Sequence, residues 1–89
     1  MRSVKTTKKF EKDYLLVARR GKELDKLKEV IQILASGKDL PKKYKDHKLI
    51  GNYVGTRECH LESDWLLIYQ ISDDFLILER TGTHSDLFK

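Results

Sequence analysis

Apolar residues recur at helical spacing over residues 7–20, where Phe10, Tyr14, Val17 and Ala18 are separated by lysines and other polar residues. Thr6 or Thr7 supplies a cap at the start, and Gly21 ends the segment. A second helical pattern runs through Leu24, Leu27, Val30, Ile31 and Leu34 and closes at Gly37. So short a link predicts an antiparallel helical hairpin, each helix with one apolar stripe and one basic face. The periodicity stops over residues 38–52, where Asp39-Leu40-Pro41 opens the lysine-rich connection Lys42-Lys43-Tyr44-Lys45-Asp46-His47-Lys48. Strand patterns then take over. Residues 53–61 alternate, residues 65–71 are almost continuously apolar, and residues 75–81 follow after a second polar turn. Glu62-Ser63-Asp64 and Ser72-Asp73-Asp74 are the turns, and residues 2–5 read as a short N-terminal strand.

Two successive hairpins predict a sheet that is antiparallel at its centre, so the fold class is α+β, with the helical hairpin packed on one face of the sheet. No repeat or linker interrupts residues 1–89, which read as one domain. The strands are apolar on both faces, with Leu66 and Ile68 on one and Leu67 and Tyr69 on the other. A helical hairpin covers one face only. The second is therefore expected to line a cleft or to be covered by a partner.

Composition sharpens this picture. The 89 residues carry 18 Lys+Arg against 14 Asp+Glu, a net charge of +4, with 39% hydrophobic residues. That apolar share argues against intrinsic disorder. The single cysteine, Cys59, excludes an internal disulfide and a Cys-based zinc cluster, which suits the reducing cytoplasm. No run approaches the roughly 18 apolar residues of a membrane span, and the N-terminus lacks a signal-peptide core. The charge is unevenly divided. Residues 1–48 hold 15 Lys/Arg and 7 Asp/Glu, a net of +8, whereas residues 49–89 hold 3 and 7, a net of −4. Such asymmetry points to a polyanionic partner met by the first half; the plainer reading is that the lysines solvate helix surfaces.

The candidate chemistry lies after the helices. Glu58 and His60 are two apart on a strand and share a face, Asp64 sits in the turn beyond them, and Arg80 ends the last strand with His84 shortly after. Hairpin pairing gathers these five toward one region, with His47 in the basic loop. The mixture suits phosphodiester cleavage, which needs a base for the ribose 2′-OH, an acid for the departing 5′-oxygen and a cation for the phosphate. Phe88 or Trp65 offers a surface for stacking on an unpaired base. Each residue also has a structural reading: His47 as solvated, Asp64 as a turn former, Arg80 paired with Glu79 or Glu62, Trp65 as core, Phe88 as a pin for the tail. Zinc held by the three histidines matches no ligand spacing. Cys59 alternates with its neighbours and faces the core as a structural thiol.

Three motifs taken together, Tyr44-Lys45-Asp46-His47, His60 with Asp64-Trp65 and Ile68-Tyr69, and Glu79-Arg80-Thr81-Gly82-Thr83-His84 with Phe88, closely resemble the YafQ-type branch of the RelE/ParE toxin superfamily in order and spacing. The resemblance implies a β-α-α-β-β-β RelE-like fold and a type II toxin–antitoxin toxin. It implies an mRNA interferase that cuts RNA without a metal or other cofactor, on the ribosome or free. His84 would then be the general acid and Asp64 the general base. His47 and His60 would orient or stabilise the scissile phosphate, Arg80 would hold its developing charge, and Phe88 would position the neighbouring base. Glu58 is a supporting base by its face and neighbours, and Trp65 is structural. Lys42, Lys43, Lys45, Lys48 and Arg57 are the expected RNA contacts. The implied partner is a RelB/DinJ-like antitoxin, whose complex binds operator DNA and whose wrapping segment would occupy the apolar second face; no membrane is involved. The alternatives are a non-catalytic RNA- or DNA-binding module and a ParE-like gyrase poison, which would not call for the histidine set.

Overall fold

The computed structural model describes residues 1–53 and 55–88, with Asn52 described by its backbone alone. Its elements are β1 (Ser3–Thr6), α1 (Lys8–Arg19), α2 (Leu24–Ala35), β2 (His47–Lys48), β3 (Arg57–Glu62), β4 (Trp65–Ile71), β5 (Phe75–Gly82) and α3 (His84–Leu87). Single helical turns occur at Lys42–Tyr44 and Gly51–Tyr53. Thr7 starts α1 with a double role: its Oγ1 accepts from the Phe10 N–H at 3.0 Å and donates to the Glu79 carbonyl at 2.7 Å. One hydroxyl thus caps the helix and pins it to the last strand. The α1 stripe is narrower than expected. Phe10 and Val17 are buried and Tyr14 partly so, but Ala18 faces solvent, because α1 packs chiefly along β5. In α2, Leu27, Val30 and Leu34 are buried as the periodicity required.

The sheet order is β1-β5-β4-β3-β2, with β1 parallel to β5 and the other pairs antiparallel. The sequence pattern missed β2, whose two residues pair with Arg57 and Glu58 inside the expected loop, because a two-residue strand leaves no periodicity. The strand expected from residue 53 begins at Arg57 instead. A helical turn occupies Gly51–Tyr53, and the Tyr53 carbonyl accepts from both the N–H and the hydroxyl of Thr56. Val54, inside that expected strand, lies outside the described residues.

Two apolar clusters flank the sheet. The larger, on the helix side, includes Trp65, Leu67, Tyr69, Leu76 and Leu78 with Phe10, Val17, Leu27, Val30 and Leu34. The smaller holds Leu66 and Ile68 beneath Leu87, Leu49 and Tyr53. The second face was expected to await a partner or line a cleft; here the chain's own α3 and the segment after β2 cover Leu66 and Ile68, which are fully buried. The expected seat of an antitoxin at those two residues is therefore already occupied, since two short apolar-bearing segments suffice to bury them.

One register shift decides which way the last strand faces. Ile68 pairs with Arg80, but Tyr69 pairs with Leu78, leaving Glu79 as an extra residue in β5. Without this bulge Leu78 and Arg80, two apart, would share a face. With it, Leu78 joins the helix-side core and Arg80 turns to the face of Ile68 and Glu58. Ile68→Ala is expected to lower unfolding stability by about 2–5 kcal/mol, and Leu15→Ala, on the solvent side of α1, by no more than about 0.5 kcal/mol. Urea unfolding monitored by circular dichroism measures both.

Candidate active site

Strand register builds the site in two lateral rows: Arg80, Ile68, Glu58 and His47 in one, Gly82, Leu66 and His60 in the next. Glu58 is only 4% exposed. Its Oε1 lies 3.3 Å from His60 Nε2 and 3.5 Å from His47 Nε2. On its other side the His47 ring places Nδ1 2.8 Å from the Lys45 carbonyl. A carbonyl only accepts, so Nδ1 carries the hydrogen and Nε2 is the atom turned to Glu58. Lys45 reaches this position in a left-handed backbone conformation (φ 50°), the one non-glycine residue with positive φ among those described. Such backbone is disfavoured by about 1–2 kcal/mol for an L-residue. Asp46 fixes the same loop, accepting from Arg57 Nε and Nη2 at 3.1 and 3.0 Å and from the Tyr69 hydroxyl. Burial, and then this bond to Asp46, push the Tyr69 phenol well above its ordinary pKa.

The third histidine is carried by α3. Thr83 and Asp86 form a capping box, and the Asp86 carboxylate also pairs with Arg20 at 2.7 Å, tying α3 to the end of α1. The Arg20 guanidinium, followed by the Thr83 N–H, holds the Asp86 carboxyl well below the usual carboxylate range. A side chain at residue 82 would crowd this arrangement, since a Cβ on Gly82 would lie 2.9 Å from Asp86 Oδ2. Asp64 accepts from the His84 N–H at 2.9 Å and sits 2.8 Å from His84 Nδ1 through the same oxygen. The backbone bond first, then the ring bond, lower the Asp64 pKa. Nδ1–H is thereby engaged, and Nε2 remains for a substrate.

The rings form a continuous line. Centroids are 6.2 Å apart for His47 and His60, 5.9 Å for His60 and His84, and 6.1 Å for His84 and Phe88. Phe88 is 43% exposed and meets Tyr53 edge-on, while the Tyr53 hydroxyl donates to the Leu87 carbonyl. Arg80 reaches neither Glu79 nor Glu62. Its Nε and Nη2 donate to Asp13 of α1 at 2.6 and 3.1 Å, which raises the guanidinium pKa and leaves Nη1 outside that pair. Of the basic residues expected at RNA, Lys42, Lys43, Lys45 and Lys48 are exposed, whereas Arg57 is engaged by Asp46. Trp65 is wholly buried with Nε1 donating to Thr81 Oγ1, and Cys59 is buried, its thiol pushed up to about 12 chiefly by desolvation. Both are core residues.

Asp13, Asp46 and Tyr53 went unread in the sequence as site residues. Asp46 adjoined a candidate histidine, but the partners of all three lie 11 to 67 residues away in the chain. The potential ligand atoms of His47, Glu58 and His60 lie within 4.8 Å of one another. Two imidazole nitrogens and a carboxylate form a donor set fit for a transition-metal ion. This set excludes His84, unlike the three-histidine zinc site weighed from spacing.

A pH dependence follows from α3. The folded pKa values of Asp64 and Asp86 are depressed, so their stabilisation is complete above the unfolded value of about 3.9 and fades as pH falls through and below it. Protection factors for the Leu87 and Phe88 amides, bonded to Thr83 and His84, should hold from about pH 5 to 8 and drop selectively below about pH 4, as read by hydrogen exchange.

Residues 2–89 match the family model described as bacterial toxin of type II toxin-antitoxin system, YafQ. The mRNA interferase toxin YafQ of Escherichia coli (strain K12) is 42% identical over 88 residues, covering 98% of this chain and 96% of that protein. The crystal structure of the E. coli DinJ–YafQ complex contains a chain 41% identical, with a TM-score of 0.92 and 100% of both chains covered. That of a metal-bound toxin from Helicobacter pylori is 44% identical, also with a TM-score of 0.92, covering 99% of this chain and 100% of that one. The chain therefore belongs to the YafQ family of bacterial type II toxin–antitoxin toxins.

Proposed function

We propose that this toxin is an mRNA interferase, an endoribonuclease that cuts RNA by acid–base transesterification within the line His47, His60, His84 and Phe88. The observation that carries the reading is the spacing of three imidazoles about 6 Å apart, two of them flanking the buried Glu58 and the third tied to Asp64. A phosphate between His60 and His84 would have a proton acceptor on one side and a donor on the other.

Asp64, expected as the base, is engaged twice by His84 and has its basicity lowered, so in this reading it orients the acid. His60, backed by Glu58, takes the proton from the 2′-OH. The 2′-oxygen attacks phosphorus, and the 5′-oxygen leaves with a proton from His84 Nε2. The products are a 2′,3′-cyclic phosphate and a 5′-hydroxyl. Arg80, aimed by Asp13, and His47 face the charge that grows on the phosphate. Phe88 holds a neighbouring base, and the exposed Lys42, Lys43, Lys45 and Lys48 hold the backbone. Arg57 acts on RNA through the loop that it fixes.

The E. coli relative is crystallised with DinJ, and we assign this chain an antitoxin of that kind; the basic half would draw an acidic protein as it draws RNA. No described helix is long and apolar enough to cross a membrane, and action on mRNA places the toxin in the cytoplasm, its antitoxin complex acting at operator DNA. One observation favours a second, subordinate reading. The His47, Glu58 and His60 cluster would accept a transition-metal ion, as the H. pylori relative is metal-bound, but the ion would take the nitrogens that the reaction needs.

Purified toxin with and without ribosomes should cut RNA at discrete sites, and His84→Ala should lower the rate by at least about 100-fold with the fold retained. Cleavage at the wild-type rate by that variant overturns the role of His84, and salt-sensitive binding without cleavage in either condition favours the non-catalytic module. EDTA should leave cleavage intact while added Zn²⁺ or Cu²⁺ suppresses it. Activation by either ion would reverse the assignment of the cluster as a pure proton-transfer site.

A further inference from the structure

A cavity of about 540 Å³ lies beside β3, lined among others by Lys26, Glu29, Lys43, Tyr44, Lys45 and His60. Its volume lies within the roughly 300–1,000 Å³ of small-ligand sites. The reaction above uses only its His60 edge and, for the RNA backbone, Lys43 and Lys45, and leaves the rest of the cavity without a role. Lys26 Nζ is engaged by Glu62 at 2.9 Å, so its charge is largely answered. Lys43 instead lies over the Tyr44 ring, 5.1 Å from its centroid, and Lys45 is exposed. Two cations therefore stand at the rim. Glu29, on the exposed side of α2, accepts from the Tyr44 hydroxyl at 3.3 Å through Oε2, which leaves its other oxygen to an incoming donor.

We propose that this cavity is a nucleotide subsite of the RNA-cleaving reaction, that it receives the base 5′ of the cut, and that Glu29 selects there for a base with an exocyclic amino group. The inference rests on the acid and base roles given above. His84, next to Phe88, protonates the oxygen of the nucleotide 3′ of the cut, so Phe88 serves that side. His60 receives the 2′-OH proton of the nucleotide 5′ of the cut, and His60 lines the cavity. A carboxylate only accepts, so it pairs with the amino group of adenine, cytosine or guanine. Uracil has no amino group and offers only its N3–H, flanked by two carbonyl oxygens that repel the carboxylate, so it binds more weakly. Lys43 and Lys45 neutralise the adjoining phosphates without reading the base.

The test separates the subsite from the chemistry. Hexanucleotides of A, C and U with 2′-O-methyl riboses, which cannot be cut, are titrated by fluorescence anisotropy against the wild-type protein, Glu29→Ala and Lys43→Ala/Lys45→Ala. The U hexamer should bind roughly tenfold more weakly than A or C to the wild type, the worth of one carboxylate–amino contact. Glu29→Ala should erase that difference, and the double lysine variant should weaken all three about equally and flatten their salt dependence. Circular dichroism checks that α2 is intact, as expected for a solvent-facing position. Equal binding of U, or an undiminished preference in Glu29→Ala, overturns the subsite. Cleavage maps of mixed-sequence RNA form the second arm: the preference lost in Glu29→Ala should fall 5′ of the cut, and a loss on the 3′ side overturns the orientation. A wild-type protein that binds with the stated preference but cuts nothing would overturn the proposed reaction and leave the base preference standing.

Discussion

The central strand β4 must be buried on both faces, and most of the molecule follows from that requirement. Leu66 to Tyr69 are four consecutive residues without solvent exposure. Two helices hide Leu67 and Tyr69, but Leu66 and Ile68 need a second layer, and in so small a chain only short segments remain to supply it. Leu87 of α3 and Leu49 and Tyr53 after β2 do so. The first of these segments carries His84 and leads into Phe88, and the second directly follows β2, the strand of His47. Burial of the second face thus places both ends of the histidine line.

This coupling explains why so many polar contacts around the site join distant parts of the chain. Arg20 holds Asp86, Asp13 holds Arg80, and Asp64 holds His84 across separations of 66, 67 and 20 residues. Each pairs a charged group from the frame with one that the proposed chemistry uses or that supports it. Such pairs are worth little at an open surface. Here their value is geometric, since an imidazole with one nitrogen committed presents the other in a fixed direction.

Much of this was legible in the sequence. The helical spacing gave both helices, the apolar run of residues 65–71 gave β4 to the residue, and strand alternation placed Glu58 and His60 together and Cys59 behind them. What escaped has a common cause. The strand β2 is two residues long, the bulge at Glu79 inserts a residue without changing composition, and the covering of the second face is made by single side chains such as Leu87. None of these leaves a periodic trace. The ion-pair partners escaped for the same reason: Asp13 sits on the polar face of α1, where nothing local marks it as the holder of Arg80.

The bulge also bears on which changes of length the last strand tolerates. Deleting Glu79, the one residue between Leu78 and Arg80, would let the Arg80–Ile68 pair follow the Leu78–Tyr69 pair directly, so a regular ladder would keep Leu78 in the helix-side core and Arg80 on the face of Glu58. A survey that scores every in-frame deletion inside a strand as disabling would count that loss as fatal. In this fold the bulge is the place in β5 where a three-base deletion can shorten the strand and leave the active site complete.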